Sequence, residues 1–253
     1  MGKLVKANVA RLLKDRFLYV CFVIAVVMTY IVTKANMEIA TLHGLTQNNC
    51  MVVISGAVFA FLAVFVPMFE GVEYGNGVIR NKIIMGYSQK DVYFAHLIAN
   101  AVIIAAVELL WLVTGVVSGA DMGPELLIYA ASMFFSNLAF ASIITCLLMR
   151  SRNTVVTVIV SLLLFYVSFM SCLFTNYIVS YGSGALKKVS IVFENINPIG
   201  QWFTQTIMCN DHYASAGDEL IGFGIPAQMI IAVLVTAGFT AIGIFKIEDR
   251  NLK

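Results

Sequence analysis

Six apolar stretches of bilayer-crossing length constrain this 253-residue chain more than any other feature. They cover residues 17–33, 51–69, 97–117, 126–149, 155–174 and 225–245. A helix needs about 20 apolar residues to cross a hydrocarbon core, within a range of roughly 17 to 25. Residues 126–174 would pass as one long helix but for Arg150, Ser151, Arg152 and Asn153. Each of those two arginines would cost about 2.5 to 3.5 kcal/mol at mid-membrane, so they mark a tight turn between two spans. Hydrophobic residues make up 60% of the chain and charged ones only 12%, against roughly a quarter charged in soluble domains. Lipid is therefore the expected solvent. The expected fold is an all-α integral membrane protein with a single transmembrane domain over residues 1–253, without an internal repeat or a second soluble domain.

Lysine and arginine set the expected orientation. With both termini inside, thirteen of the sixteen fall on inner segments, and only Lys34, Lys187 and Lys188 are outside. The reading is six transmembrane helices with both ends cytoplasmic. Residues 1–16 carry Lys3, Lys6, Arg11, Lys14 and Arg16, with Leu4, Val5, Val9, Leu12 and Leu13 near helical spacing. That pattern predicts a basic amphipathic helix on the inner leaflet, leading into the first span. The run 17–33 continues into KANMEIA without a small-x-small cleavage site, so it is expected to be retained rather than removed as a signal peptide.

Two segments outside the spans are long. Residues 70–96 form the polar inner loop, and residues 175–224 the outer segment. A structureless loop of the latter length would be unusual. Its apolar part, 191–208, contains Asn197, Pro198, Gln201, Trp202 and Phe203. Short helices resting on or dipping into the outer leaflet are predicted there. Gly182, Ser183 and Gly184 read as flexible linker, and Asp211, Asp218 and Glu219 as the watery part.

Polar residues at membrane depth are few. Glu108 lies mid-way along the third span, with no lysine or arginine inside any of the six to pair with it. An intramembrane carboxylate is a functional candidate by default. Asn137, mid-way along the antiparallel fourth span, is at the right depth to meet it, so a structural pairing stands beside a role in a substrate path or proton site. On the fifth span Thr157, Ser161, Ser168 and Ser171 fall on one helix face. Small hydroxyl residues there either let helices approach closely or line a polar path.

Several functions are disfavoured. A formal net charge of +2, with no basic run interleaved with aromatics, gives no reason to expect a nucleic-acid partner. Cys21, Cys50, Cys146, Cys172 and Cys209 include no C-x-x-C pair, and no histidine stands at metal-ligand spacing, so no metal site is expected. No H-E-x-x-H, no G-x-S-x-G and no G-x-x-x-x-G-K-[ST] occurs. No catalytic residues are assigned and the chain reads as not an enzyme. If it works against a gradient, a partner or an ion gradient must supply the energy.

The inner loop is read for what it binds. Glu73 and Tyr74 precede Gly75, Asn76 and Gly77, and Val78 to Met85 can form a short helix ending at Gly86. Ser88 with Asp91 three residues on is a variant capping box that starts the next helix. Arg80 and Lys82 are expected to point to water or to an acidic partner. Val78, Ile79, Ile83, Ile84 and Met85 offer more apolar surface than a solvated loop needs, and it faces either a partner or the lipid interface.

At these residues the chain resembles the membrane (permease) subunits of ABC exporters of the type-2 class, which includes permeases for drugs, lantibiotics and other peptides. The matching positions are Glu73, Gly77, Arg80 with Lys82, then Gly86, Ser88 and Lys90. Gln89 stands where an arginine is usual. The similarity extends to the basic lead-in helix, the six spans, the long outer segment before the last span, and the short charged tail KIEDRNLK.

The resemblance implies a subunit without its own ATPase. Two such subunits, identical or related, would pair as a homo- or heterodimer in a bacterial cell membrane. Two cytoplasmic nucleotide-binding subunits, holding ATP and Mg, would grip residues 70–96 as a coupling helix through Glu73, Gly77, Arg80, Lys82, Ile83, Gly86, Ser88 and Lys90. The lead-in helix would touch the ATPase as well. The second and fifth spans would face the path, making Thr157, Ser161, Ser168 and Ser171 candidate lining and the segment around Trp202 a candidate lid. Spans without fixed charges suit a hydrophobic or amphipathic cargo, such as a peptide, lantibiotic or drug-like molecule. The alternatives are an ion-coupled secondary transporter, usually marked by repeats and broken mid-membrane helices, and an intramembrane enzyme using Glu108.

Overall fold

The computed structural model describes residues 1–43, 47–209 and 223–245, all in helices and short connections, with no strand among them. The expected watery residues Asp211, Asp218 and Glu219 and the tail at 246–253 lie outside the described residues. In chain order the helices are α1 (Gly2–Leu12), α2 (Arg16–His43), α3 (Gln47–Ser55), α4 (Ala57–Gly75), α5 (Val78–Ile84), α6 (Gln89–Ser118), α7 (Pro124–Ser151), α8 (Thr154–Tyr181), α9 (Gly184–Ile196), α10 (Pro198–Met208) and α11 (Ile225–Ile244). Six helical segments are long and apolar enough to cross a membrane, as expected. α3 and α4 together make the second of them, Asn48–Gly75.

The helix ends differ from those read off hydropathy. α4 runs on through Glu70 and Glu73 to Gly75, and α6 starts at Gln89. The inner loop expected over 70–96 therefore shrinks to α5 and its two hinges. An apolar window closes at the first charge, whereas a helix continues until its backbone is interrupted. The interruptions here are Gly77 (φ +67°) and Gly86 (φ +88°), both in the left-handed region that glycine enters without penalty. α2 likewise continues past Thr33 and α8 past Phe174.

α7 is the central helix and packs on α4, α6, α8, α10 and α11. The core between them is built from Phe59, Leu62 and Phe65 of α4, Ile103 and Ile104 of α6, and Phe140 and Ile144 of α7. Phe59 and Phe140 meet edge to face at 5.5 Å. α2, over residues 17–31, and α8 lie at the periphery and expose large apolar side chains, as lipid-facing helices do.

Pro67 sits inside α4. It has no N–H to donate to the carbonyl four residues back, that of Ala63. Ser161 of α8 replaces the missing donor, with Oγ 2.5 Å from Ala63 O. At Gly56, between α3 and α4, the Trp202 indole ring packs so closely that a Cβ would collide with it. The tight turn expected at residues 150–153 is present, with Arg152 at φ 54° and the Asn153 side chain accepting from Val156 N at 3.2 Å to cap α8.

Candidate functional site

The two glutamates of α4 stand one helical turn apart at the end of a span. Glu70 is 0% and Glu73 2% exposed. Buried carboxylates persist only when paired, and the pairing partners come from four other helices.

Glu73 is surrounded by cationic groups. Lys82 of α5 places Nζ 2.7 Å from Oε1 and 2.6 Å from Oε2. Arg11 of α1 places Nη1 2.5 Å from Oε1, while its Nη2 donates to Phe69 O at 2.9 Å. The guanidinium also lies over the Phe69 ring, 3.9 Å from its centroid, a geometry that favours a cation. His96 Nε2 of α6 is 3.1 Å from Oε2. Lys82 is tied in addition to Asn8 Oδ1 of α1 at 3.3 Å. Burial pulls the Arg11 guanidinium below its ordinary value, against the pull of Glu73 and Glu70.

Glu70 completes the cluster. Its Oε1 accepts from Asn100 Nδ2 of α6 and from Thr145 Oγ1 of α7, both at 2.8 Å. Its Oε2, and both ring nitrogens of the fully buried His96, have no hydrogen-bond partner among the described residues, Nε2 making only its 3.1 Å approach to Glu73. Glu70 and Glu73 are the carboxyl groups of the cluster, and Arg11 and Lys82 its cations. The cluster thus joins α1, α4, α5, α6 and α7 at one end of the bundle. Separating one partner would leave an uncompensated buried charge, at a cost of about 3–5 kcal/mol. α5 therefore moves together with α1 and the end of α4. The arrangement ties the short helix α5 to two spans and to α1 through side-chain bonds.

The expected loop residues divide into two groups. Of the two outcomes expected for Lys82, water or an acidic partner, the structure shows a buried lysine on an acidic group, which is Glu73 of the same chain. Arg80 is exposed, as are Ile84 and Met85, and Ile83 is half-buried against Ile79 and Val92. Arg80, Ile83 and Ile84 line one side of a cleft of about 470 Å³ whose other walls include Tyr74, Met149 and Arg152. Lys90 is exposed on the first turn of α6. Both halves of the Ser88–Asp91 capping box form, with Asp91 N to Ser88 Oγ at 3.1 Å and Ser88 N to Asp91 Oδ2 at 3.2 Å. Because Asp replaces the usual longer side chain at the third position, the reciprocal bond spans a shorter arm, and it still closes.

The fifth-span hydroxyls all make hydrogen bonds within the chain or stand half-buried. Thr157 and Ser161 are buried, with Ser161 committed to Ala63 O and Thr157 to Ser151 Oγ (2.7 Å) and Asn153 O (2.8 Å). Ser168 and Ser171 are half-buried, and Ser171 Oγ donates to Ser168 O at 2.8 Å. Asn137 Nδ2 donates to Glu108 Oε1 at 3.1 Å, so the two mid-span polar residues do meet.

At the opposite end, Trp202 is half-buried. It donates Nε1 to Val52 O at 2.9 Å and stacks on Phe169 at 6.2 Å. Its neighbour Gln201 belongs to a buried network with Ser136 (2.6 Å), Gln205, Gln228 and Asn195 that fastens α9 and α10 to α7 and α11. Glu194 of α9 is 1% exposed and accepts from Thr175 Oγ1 at 2.7 Å. Burial raises its carboxyl to about 7.

Sequence reasoning missed Asn8, Arg11, Glu70, His96, Asn100 and Thr145 as parts of one site. The signal available was spacing: Asn8 and Arg11, Glu70 and Glu73, and His96 and Asn100 each recur at three or four residues. Each pair therefore shares a helix face, and all lie near one end of their helices. No family model matches the chain, and no curated protein matches it either.

Proposed function

We propose that this chain is the permease subunit of an ATP-driven exporter of the ABC type-2 class, moving a hydrophobic or amphipathic peptide, lantibiotic or drug-like molecule out of a bacterial cell. Cytoplasmic ATPase subunits, which carry the ATP and Mg, drive it through α5, and a second permease subunit completes the path. The supporting observation is α5 itself: a seven-residue helix between two left-handed glycines, locked to α1 and α4 by Lys82. It turns Arg80, Ile84 and Met85 outward beyond the ends of the flanking spans. Ile84 is 73% exposed, a cost in water of the kind usually met at protein contact surfaces. A push on that face reaches the spans because the Glu73 cluster makes α5 rigid with them. On this reading α1 is the amphipathic lead-in helix, α5 the coupling helix, and the end carrying both is cytoplasmic.

Purification of the tagged chain from its native membrane in mild detergent tests the reading. It should recover an ATPase, and Arg80→Glu or Ile84→Asp should weaken that association while leaving insertion intact. Recovery without any ATPase would overturn it.

An ion-coupled transporter is the second reading, favoured by one observation. Glu70 Oε2 and His96 Nδ1 are buried polar atoms without partners among the described residues, as a proton-carrying pair would require. Transport abolished by an ionophore but indifferent to ATP depletion would select it.

A further inference from the structure

Between α2 and α4 runs an apolar groove of about 320 Å³. Phe17, Ala25 and Met28 form its α2 wall, Ala60 and Phe61 its α4 wall, and Trp111 of α6 its floor. From Phe17 to Thr29 α2 rises about 18 Å, close to the roughly 15 Å depth of one leaflet's hydrocarbon. The groove contains no ionisable side chain other than the Cys21 thiol, and its two hydroxyls are those of Ser55, already bonded to Val52 O at 2.7 Å, and of Thr29, a residue 4% exposed. Water has too few partners to occupy it, and leaving it empty forfeits dispersion contacts along its length.

The end at Phe17 is basic. Lys14 and Arg16 are exposed immediately before it. The intervening Asp15 is turned to the helix start, where Oδ1 accepts from Phe17 N at 2.9 Å. A hydrocarbon-lined groove one leaflet deep, with two cations at its mouth, has the chemistry of an anionic phospholipid.

We propose that this groove seats one anionic phospholipid, with an acyl chain against Ala60 and Trp111 and the phosphate at Lys14 and Arg16. The site needs only that the spans lie in a bilayer.

The test uses the full chain in vesicles. The sequence has two tryptophans, so Trp202→Phe leaves Trp111 as the sole fluorophore. Trp111 is only 5% exposed, so bromine on an acyl chain reaches it through the groove. Brominated phosphatidylglycerol, diluted into plain phosphatidylcholine, should quench Trp111 roughly five- to thirty-fold more effectively than the reverse mixture, as two basic residues at a membrane surface predict. Lys14→Gln with Arg16→Gln should remove that preference, and Ala60→Phe should remove most of the quenching. Native mass spectrometry of the unmodified chain should retain one anionic lipid that Ala60→Phe loses, a readout that does not need the Trp202 variant to fold. Trp111 unquenched by either lipid, as when apolar cargo or another protein covers the groove, would overturn the proposal. So would equal quenching by both lipids.

Discussion

Lys82 Nζ is bonded to both carboxylate oxygens of Glu73, at 2.7 and 2.6 Å, inside a site where neither residue is more than 6% exposed. The lysine belongs to the short helix α5 and the glutamate to the end of a span, so this pair fixes one to the other. Arg11 and His96 converge on the same carboxylate.

The substitutions on this pair are expected to be unequal. Lys82→Met leaves Glu73 with Arg11 and His96, and should cost about 1–3 kcal/mol. Glu73→Ala strands both Lys82 and Arg11, and should cost at least the roughly 3–5 kcal/mol of a broken buried pair. Thermal unfolding of the detergent-solubilised variants checks the order. A Lys82 variant less stable than the Glu73 variant would contradict the shared-carboxylate account.

Ser161 is expected to matter because of Pro67. Ser161→Ala orphans the Ala63 carbonyl in an apolar surrounding, and should destabilise by about 1–3 kcal/mol. In a Pro67→Ala background the helix supplies its own donor, so Ser161→Ala should cost less than half as much there. A double-mutant cycle in the same unfolding assay measures this, and additive costs would refute it.

The spans were legible because lipid permits little besides long apolar helices, and a window of hydropathy finds them. The hinges at Gly77 and Gly86 and the cap at Ser88 were legible because local backbone chemistry fixes them. The Glu73 cluster was not, since it depends on which helix faces meet. Arg11 and Glu73 are 62 residues apart, and nothing local distinguishes Lys82, which is buried, from Arg80, which is exposed. Ser161 read equally well as path lining or packing until Pro67 was placed opposite it. Hydropathy also ended the second span too early, because it counts Glu70 and Glu73 as solvent-seeking when Glu73 is ion-paired and Glu70 accepts from Asn100 and Thr145.

Glu108 and Asn137 should be coupled. Interhelical hydrogen bonds within a membrane are worth on average about 0.6 kcal/mol and at most about 1.7. Glu108→Gln keeps an acceptor for the Asn137 amide and should be mild, whereas Glu108→Ala and Asn137→Ala should each destabilise. Their double variant should fall short of the sum by roughly 0.5–1.5 kcal/mol. Strict additivity, measured by unfolding in detergent, would show that the 3.1 Å contact contributes nothing.

Glu194 should make stability depend on pH. Its folded carboxyl is raised to about 7 by burial, above the ordinary value of about 4.3, so between those values the folded chain binds more protons than the unfolded one. Stability is then greatest below about pH 4.3, falls as pH rises through the window to about 7, and levels off above it. The full excursion is on the order of 3 kcal/mol. Glu194→Gln keeps an acceptor for Thr175 Oγ1 but cannot ionise. Its unfolding temperature should fall less than that of the parent between pH 5 and pH 8. Parallel profiles for the two chains would place the titrating group elsewhere, while a parent stability that rises through the window with the variant flat would invert the sign and refute burial as the cause.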